Sequence, residues 1–359
     1  MVKFTLIQDQ SELILLIDKL NHLKTIAIDI ECENNLHHYG AYVTLIQISD
    51  GENSWIIDAL RLDIKPFIKI LENSKIQKVF HDISFDLRII QSQYHCRVSN
   101  IFDTQIAANF LGKEKVGLTS LLEEYFEVKK ERKFQRFDWT RRPLSKAMLA
   151  YAAQDAAFLL QLKAKLEKGL QDHNRLEWVQ EECSNLENVD WQYTEQDYRG
   201  ISGVKSLSGQ ERAIFSVLFT ERKRLAKNVD KPPFMIYSNK QMLSLAKKPP
   251  KDWILVKGVH PIVAENALRL FQLVSEASQR IEELPRNNQP RLSLKQHDWT
   301  KSLLELRNKV ANNIPLKPHL LLNNDQMRDI AVTQSLDCLR NWQKELLHDQ
   351  KLVLEILRD

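Results

Sequence analysis

The chain has 359 residues, of which 43% are hydrophobic, and a formal net charge of +4. This length exceeds that of one ordinary domain, and the hydrophobic residues can supply more than one core, so we expect two or three globular domains. Its apolar runs fall short of the roughly 18 residues of a membrane-spanning helix, and its first residues mix charges into apolar positions, so neither membrane insertion nor secretion is expected. The four cysteines lie far apart without CxxC or Cys/His pairing, which argues against a zinc site or a disulfide framework and fits a reducing cytoplasm.

The predicted secondary structure changes along the chain from α/β to helical. An amphipathic helix is predicted for the opening MVKFTLIQDQSELILLIDKL. From residue 25, β-rich apolar runs alternate with helical stretches, and the runs are TIAIDIE, VTLIQIS, SWIIDAL and KVFHDI. From about residue 103 the pattern is almost entirely helical, with long helices expected from Leu144 to about Leu170 and from Arg175 to about Glu187. We therefore expect an α/β domain followed by helices.

Two polar stretches with helix breakers divide the helical part. The first, between Asp190 and Ser208, loses apolar periodicity and contains Gly200 and Gly203, and the second is ELPRNNQPRLS. Prolines and a glycine further divide the segment between them into four or five short helices. The expected domains are residues 1–195, 207–285 and 296–359, with linkers at 196–206 and 286–295.

A pair of acids, Asp29 and Glu31, ends the run TIAIDIE. Alternation along a strand puts residues two apart on one face, so both carboxylates point the same way while Ile26, Ile28 and Ile30 point into a core. Two such carboxylates repel each other unless water or a cation compensates them, and hard divalent cations such as Mg²⁺ take oxygen ligands of this kind. An isolated Asp-x-Glu pattern is common in proteins. On its own, it is more typical of an edge strand that ends in solvent.

Two further carboxylates occur in helical settings. Asp86, in HDISFD, lies near the first turn of a helix, where an acid is also favoured simply by the helix dipole. Tyr151 and Asp155, in YAAQD, are four residues apart and therefore project from one helix face. A half-buried tyrosine above an exposed acid would give the same spacing. The alanines around this pair would let the helix approach a sheet closely.

Taken in order and with their spacing, these segments resemble a known family. DIE at 29–31, FD at 85–86 and YAAQD at 151–155 are similar to the three exonuclease motifs of the DEDDy branch of the DnaQ-like, ribonuclease H-type 3′→5′ exonucleases. The sequence around them, over about residues 3–190, resembles ribonuclease D and its eukaryotic exosome-associated relative. Residues 207–274 resemble an HRDC domain, and the last segment is similar to the more diverged second HRDC-like domain of ribonuclease D.

The resemblance implies a fold and a reaction. The fold would be an α/β ribonuclease H-like domain, a mixed sheet flanked by helices, followed by all-α HRDC-type domains. The reaction would be two-metal-ion hydrolysis of phosphodiester bonds by a 3′→5′ exoribonuclease, which releases nucleoside 5′-monophosphates. Two Mg²⁺ or Mn²⁺ ions would be bound by Asp29, Glu31, Asp86 and Asp155, beside the catalytic Tyr151. Because the pKa of a free phenol is about 10, Tyr151 would orient the attacking water rather than act as a strong base.

Contacts to the substrate are expected from three places. The segment that contains His37, His38 and Tyr39 lies in relatives near the terminal nucleotide, although an ordinary polar loop is the alternative for His38. The second motif would add residues that face the same cleft. The loop 129–142 has seven Lys or Arg against two acids, interleaved with aromatic residues, which suits phosphate and base contacts but is also typical of a solvated loop. The residues expected to bind substrate are His37, Tyr39, His81, Phe85, Arg136, Trp139 and Arg141.

The helical part carries much of the positive charge. Residues 207–274 contain twelve Lys or Arg against five Asp or Glu, so RNA binding by this module is a hypothesis beside a protein-contact or spacing role. The expected partner is RNA with a free 3′ end, and tRNA precursors are the first substrates expected. The expected location is the cytoplasm. Neither a membrane nor an obligate protein partner is expected. A 3′→5′ DNA exonuclease stays open because no residue that reads a 2′-hydroxyl can be identified. A catalytically silent nucleic-acid-binding scaffold is disfavoured by the intact acids.

Overall fold

A mixed sheet organises the first half of the computed structural model, which describes residues 2–129, 133–134, 136–192, 197–285 and 291–358. The strands are β1 Thr5–Ile7, β2 Thr25–Asn34, β3 Ala41–Ser49, β4 Ser54–Asp58, β5 Gln77–Phe80 and β6 Ile101–Asp103. Their order in the sheet is β1-β4-β3-β2-β5-β6. Strand β3 is antiparallel to β2 and β4, whereas the other neighbours are parallel. Parts of the predicted basic loop and of both predicted linkers lie outside the described residues.

Helices flank this sheet, which confirms the expected fold class. They are α1 Gln10–Asn21, α2 Lys65–Glu72, α3 Ser84–Tyr94, α4 Thr104–Phe110, α5 Leu118–Phe126, α6 Lys146–Ala157, α7 Leu159–Asp172 and α8 Leu176–Asn188. Two details of the prediction are wrong. The opening segment forms β1 before the helix begins, because a three-residue strand is too short to leave a period-two pattern. The single helix expected from Leu144 to about Leu170 is interrupted at Phe158, where α6 ends and α7 starts.

The rest of the chain is helical, as expected. After two short 3-10 turns at Tyr198–Gly200 and Val204–Ser206, its elements are α9 Gly209–Asn228, α10 Pro233–Ile236, α11 Asn239–Lys247, α12 Ile262–Glu265, α13 Ala267–Ala277, α14 Leu294–Asn313, α15 Pro318–Leu321, α16 Asn324–Thr333, α17 Asn341–Leu347 and α18 Lys351–Arg358. Serine or asparagine begins several of these helices with a reciprocal capping box, as Ser208 does for α9. No helix in the described ranges is long and apolar enough to cross a membrane.

The two faces of the sheet pack against different helices. One face, which includes Ile28, forms a core with α1, α2 and α3, and the opposite face packs against α4, α6 and α7. Helices α9 to α13 form a core of their own, around Phe215 and Trp253. Tyr39, in the loop after β2, packs against that second core. The loop that follows the predicted catalytic strand is therefore in contact with the α9–α13 module.

The last helices pack on the α/β domain. Trp342 in α17 lies with its ring 5.1 Å from the rings of both Phe110 in α4 and Trp178 in α8. Its indole N–H donates a hydrogen bond of 2.9 Å to Glu182. Buried side chains of α14 to α18 belong to the same core as those of α4, α7 and α8. Removing residues 294–358 would therefore expose apolar surface of the α/β domain.

Candidate active site

Strand β2 presents the first two acids. Asp29 pairs with Gln47 and Glu31 with Leu45 across the antiparallel β2–β3 ladder, so both carboxylates point to the face that packs against α6. Their neighbours Ile28 and Ile30 are buried on the opposite face. This confirms the alternation expected from TIAIDIE. The burial of the isoleucines fixes the register, because a one-residue slip would place both acids in the core.

Helix α6 presents Tyr151 and Asp155 to the same place. Ser145 caps the helix by accepting a hydrogen bond from the Met148 N–H. Ala152 and Ala153 are fully buried against β3 and β4, and the absence of longer side chains there lets the helix lie close to the sheet. Because residues four apart share one face, the phenol and the carboxylate both reach the cavity above β2.

The predicted catalytic acids converge on one cavity. Carboxylate oxygens of Asp29, Glu31 and Asp155 lie within 4.8 Å of one another. Asp86 and Tyr151 line the same cavity, which has a volume of about 490 Å³. Three carboxylates at this separation repel strongly in a partly desolvated site unless a cation lies between them. An all-oxygen donor set of this kind suits a hard divalent ion such as Mg²⁺ or Mn²⁺.

Asp86 adds to the same accumulation of negative charge. It lies in the first turn of α3, the helix that follows β5. Burial raises the pKa of Asp86 well above its usual value, and the charges of Asp29, Asp82 and Asp103 raise it further. A bound cation acts in the opposite direction and favours the carboxylate form. A divalent metal ion would therefore relieve the repulsion among the clustered carboxylates, and these residues fit such an ion.

Asp103 holds the turn that carries Asp86, and the sequence analysis did not single it out. Its carboxylate is 2% exposed and accepts hydrogen bonds from the backbone N–H groups of Asp82 and Ile83, at 3.2 and 2.9 Å. The same carboxylate caps α4 by accepting from the N–H groups of Gln105 and Ile106. The sequence does show an aspartate directly before a predicted helix, which indicates an N-cap. An N-cap alone gives no reason to expect the contacts of Asp103 with the N–H groups of Asp82 and Ile83.

Replacing Asp103 with asparagine is expected to weaken metal binding as well as the fold. The amide keeps only one acceptor oxygen, so some of these N–H groups lose their partner, at a cost of about 1–3 kcal/mol of unfolding free energy. The turn before Asp86 should then loosen, and we expect the Mg²⁺ concentration for half-maximal activity to rise about tenfold. Asp9→Asn, at the exposed cap of α1, is the matched control. Equal metal dependence in both variants would contradict a positioning role for Asp103.

Tyr151 is held by an aromatic cluster. Its ring stacks on Trp139 at 6.3 Å between centroids and meets Phe134 edge-on at 5.5 Å. Burial raises the pKa of the Tyr151 phenol above its ordinary value, and the charges of Asp155, Glu31 and Asp29 raise it further. The hydroxyl therefore keeps its proton at neutral pH. It is suited to hydrogen bonding with a water or a phosphate oxygen and not to removing a proton as a phenolate.

The structure separates the predicted substrate-binding residues into two groups. His81 and Phe85 line the cavity with the four acids, and Phe85 is 42% exposed there. The Nδ1 atom of His81 lies 2.9 Å from the hydroxyl of Thr104. Gln105 and the first turn of α5, residues 117–120, also line this cavity, although no pattern in the sequence marked them.

The remaining candidates lie outside the residues that line this cavity. Trp139 is only 4% exposed and packs behind Tyr151, so the expected base stacking is replaced by support of the tyrosine. Arg141 pairs with Asp138 at 3.3 Å, and Arg136 is exposed on the same loop. His37 and Tyr39 lie in the loop after β2, where they contact Glu33 and the α9–α13 module instead.

Comparison with known proteins finds relatives of both the α/β domain and the helical module. A family described as 3′-5′ exonuclease matches residues 4–171, and the HRDC domain matches residues 211–268. The chain is 29% identical over 370 residues to ribonuclease D of Zymomonas mobilis, covering 97% of this chain and 93% of that protein. It is 28% identical over 298 residues to the exosome complex exonuclease RRP6 of Saccharomyces cerevisiae, covering 77% of this chain and 40% of the yeast protein.

Solved structures show the same architecture. The structure of RNase D from Escherichia coli, described as an exoribonuclease involved in structured RNA processing, superposes with a TM-score of 0.74 at 24% identity and covers 99% of both chains. The catalytic core of RRP6 from Trypanosoma brucei superposes with a TM-score of 0.68 at 26% identity, over 77% of this chain and 80% of that core. The first likeness extends through the C-terminal helices, so the whole arrangement is shared.

Proposed function

Because this chain belongs to the ribonuclease D-like 3′→5′ exonucleases that carry an HRDC domain, we propose that it hydrolyses RNA from the 3′ end and releases nucleoside 5′-monophosphates. The observation that carries the proposal is the convergence of Asp29, Glu31, Asp86 and Asp155 beside Tyr151 in one cavity. We further propose tRNA precursors or other structured RNA as substrates, and the cytoplasm as the place of action.

The side chains have distinct roles in this proposal. Two divalent ions, Mg²⁺ or Mn²⁺, would supply the charge that stabilises the attacking and leaving oxygens of an in-line displacement. Asp29, Glu31 and Asp155 would hold the ion on the side of the attacking water, and Asp29 and Asp86 would hold the ion on the side of the leaving oxygen. Tyr151, which keeps its proton, would hold the attacking water in line with the scissile phosphorus.

Matched RNA and DNA oligomers labelled at the 3′ end test this function. With Mg²⁺ or Mn²⁺ present, we expect the label to be released as a nucleoside 5′-monophosphate, faster from RNA than from DNA, and EDTA to stop the release. Faster release from DNA would favour the DNA exonuclease. RNA binding without any release under either metal would favour the silent scaffold.

The helical module is proposed to add affinity for the RNA backbone. Lys247, Lys248 and Lys251 are exposed at and after the end of α11, where they can approach phosphates. Changing the three to alanine should weaken RNA binding and lower the slope of log affinity against log salt by about 2, since each lost phosphate contact on a single strand contributes about 0.7. Fluorescence anisotropy at several salt concentrations measures both quantities.

A control for charge is available in the other domain. Lys65, Lys69 and Lys75 are also exposed, on and after α2, and the same triple change there should leave the slope unaltered. Equal losses in both triple variants would reject a specific role for the helical module. Point changes are preferable to a truncation near Ser206, because that truncation would also remove α14–α18, which share a core with α4 and α8.

A further inference from the structure

We propose that Glu33, His37 and Asp138 form a second cation site, outside the catalytic cavity, for a borderline divalent transition-metal ion such as Zn²⁺. One ligand atom from each residue lies within 4.8 Å of the others. The donor set is one imidazole nitrogen and two carboxylate oxygens, which are common ligands of Zn²⁺. None of the three residues is among those that line the catalytic cavity.

The first two ligands are brought together by a local turn. Glu33 follows Glu31 on β2 and is 3% exposed. Its Oε1 atom accepts hydrogen bonds from the backbone N–H groups of Leu36 and His37, at 2.6 and 3.0 Å. These bonds curve the chain so that the His37 ring returns toward the other oxygen, Oε2. The turn therefore fixes one carboxylate and one imidazole before any ion arrives.

The separation of the atoms suits ligands of one ion. His37 Nδ1 lies 3.7 Å from Glu33 Oε2, which is too far for a hydrogen bond. Two ligands on a tetrahedral ion with bonds of about 2.0–2.1 Å lie roughly 3.3 Å apart. A small closure of the loop would therefore place both atoms on one ion, and water would occupy the positions that the protein leaves open.

Charge supports a cation here. Glu33 and Asp138 are 3% and 9% exposed, so two carboxylates are held close together with little water around them. Asp138 Oδ1 accepts hydrogen bonds from the backbone N–H and the hydroxyl of Thr140, which carry no net charge, and Arg141 reaches Oδ2 at 3.3 Å with a side chain that is 70% exposed, so its charge is screened. The Arg141 guanidinium supplies one positive charge at the edge of the cluster, whereas a divalent ion would supply two at its centre. The ion is the fuller compensation.

The position of the site gives it a structural role. His38 lies between this cluster and α9–α13, with Nε2 3.7 Å from Asp138 Oδ2 and Nδ1 2.7 Å from Asp230 Oδ2. The backbone N–H of Tyr39 also donates to Asp230, at 3.1 Å. An ion on Glu33, His37 and Asp138 would hold the loop after β2 in the shape that meets Asp230. The ion would thereby stabilise the contact between the exonuclease domain and the HRDC domain.

Cobalt titration of the full-length, untagged protein tests the proposal without reference to activity. In the background Asp29→Asn/Asp155→Asn, which removes two catalytic ligands, we expect one Co²⁺ per chain with a visible d–d absorption band that Zn²⁺ displaces. Adding Zn²⁺ alone should raise the melting temperature of this protein, because the ion binds the folded state. Absence of both the band and the stabilisation would overturn the proposal.

A matched pair of histidine changes locates the ion. In the same background, His37→Gln should abolish the band and the stabilisation, and Asp138→Asn should weaken both. His173→Gln, at an exposed histidine at the end of α7, should change neither. Circular dichroism confirms folding of each variant before titration. A band that survives His37→Gln would assign the ion to the remaining catalytic acids and overturn the site, as would equal loss with His173→Gln.

Discussion

Replacing Asp29 or Asp155 with asparagine is expected to lower metal-dependent hydrolysis by about 1,000-fold or more, which corresponds to roughly 4 kcal/mol of transition-state stabilisation. Both carboxylates belong to the group whose oxygens lie within 4.8 Å of one another. An amide has nearly the same shape but no negative charge, so it binds a hard cation much more weakly. The loss should appear mainly in kcat measured at saturating RNA.

The fold should survive these two changes. In EDTA, the melting temperature of each variant should equal or exceed that of the parent, because removing one of several clustered like charges relieves repulsion. Asp172→Asn, at the exposed end of α7, controls for the loss of one charge from the chain. A variant that keeps full Mg²⁺-dependent activity would contradict the assignment of its residue, and a variant that is inactive but unfolded would not support it.

The parts of the site that the sequence predicted depend on local geometry. The alternation of TIAIDIE places Asp29 and Glu31 on one face, and the four-residue spacing places Tyr151 above Asp155. Both patterns are properties of a single strand or helix, so they survive in any fold that contains it. The order of the motifs resembles that of a known exonuclease family. Because the three motifs meet at one site in that family, the order predicted that β2, α3 and α6 come together here.

The parts that the sequence did not predict depend on packing between distant segments. Trp139 is an aromatic residue among cations, which suggests base stacking, but the tertiary fold uses it to support Tyr151. Asp103 begins a helix, and only the sheet brings the turn at Asp82 against it. Glu33 and Asp138 lie on different elements far apart in the chain. Periodicity cannot reveal pairs of this kind, since each member has an ordinary local explanation.

The largest stability effect is expected from Arg142→Ala. Asp58, at the end of β4, is 1% exposed, and Arg142 donates to both of its carboxylate oxygens, at 2.7 and 2.8 Å. The guanidinium also donates to the backbone carbonyls of Thr44 and Trp139. Removing it leaves a buried carboxylate without its main partner, which should lower the unfolding free energy by about 3–5 kcal/mol. Urea denaturation at neutral pH measures the loss.

The pH dependence of this effect identifies its origin. Burial alone would raise the pKa of Asp58, but hydrogen bonds from Arg142 and Gln8 and the charges of Arg142 and Arg61 hold it below its usual value. A lowered pKa stabilises the folded protein above the unfolded pKa of about 4, and this stabilisation is lost as pH falls through the folded pKa. The parent should therefore lose more stability than Arg142→Ala when the pH falls below about 4.

Arg61 supplies the matched control for this ion pair. It approaches the same carboxylate at 3.5 Å, but its side chain is 50% exposed, so Arg61→Ala should lower the unfolding free energy by less than about 1 kcal/mol. If both variants lost the same unfolding free energy, positive charge near Asp58 would account for the stabilisation, and the buried hydrogen bonds of Arg142 would add nothing to it. Because Arg142 also holds the carbonyl of Trp139, which supports Tyr151, we expect only Arg142→Ala to lower kcat in the protein that remains folded.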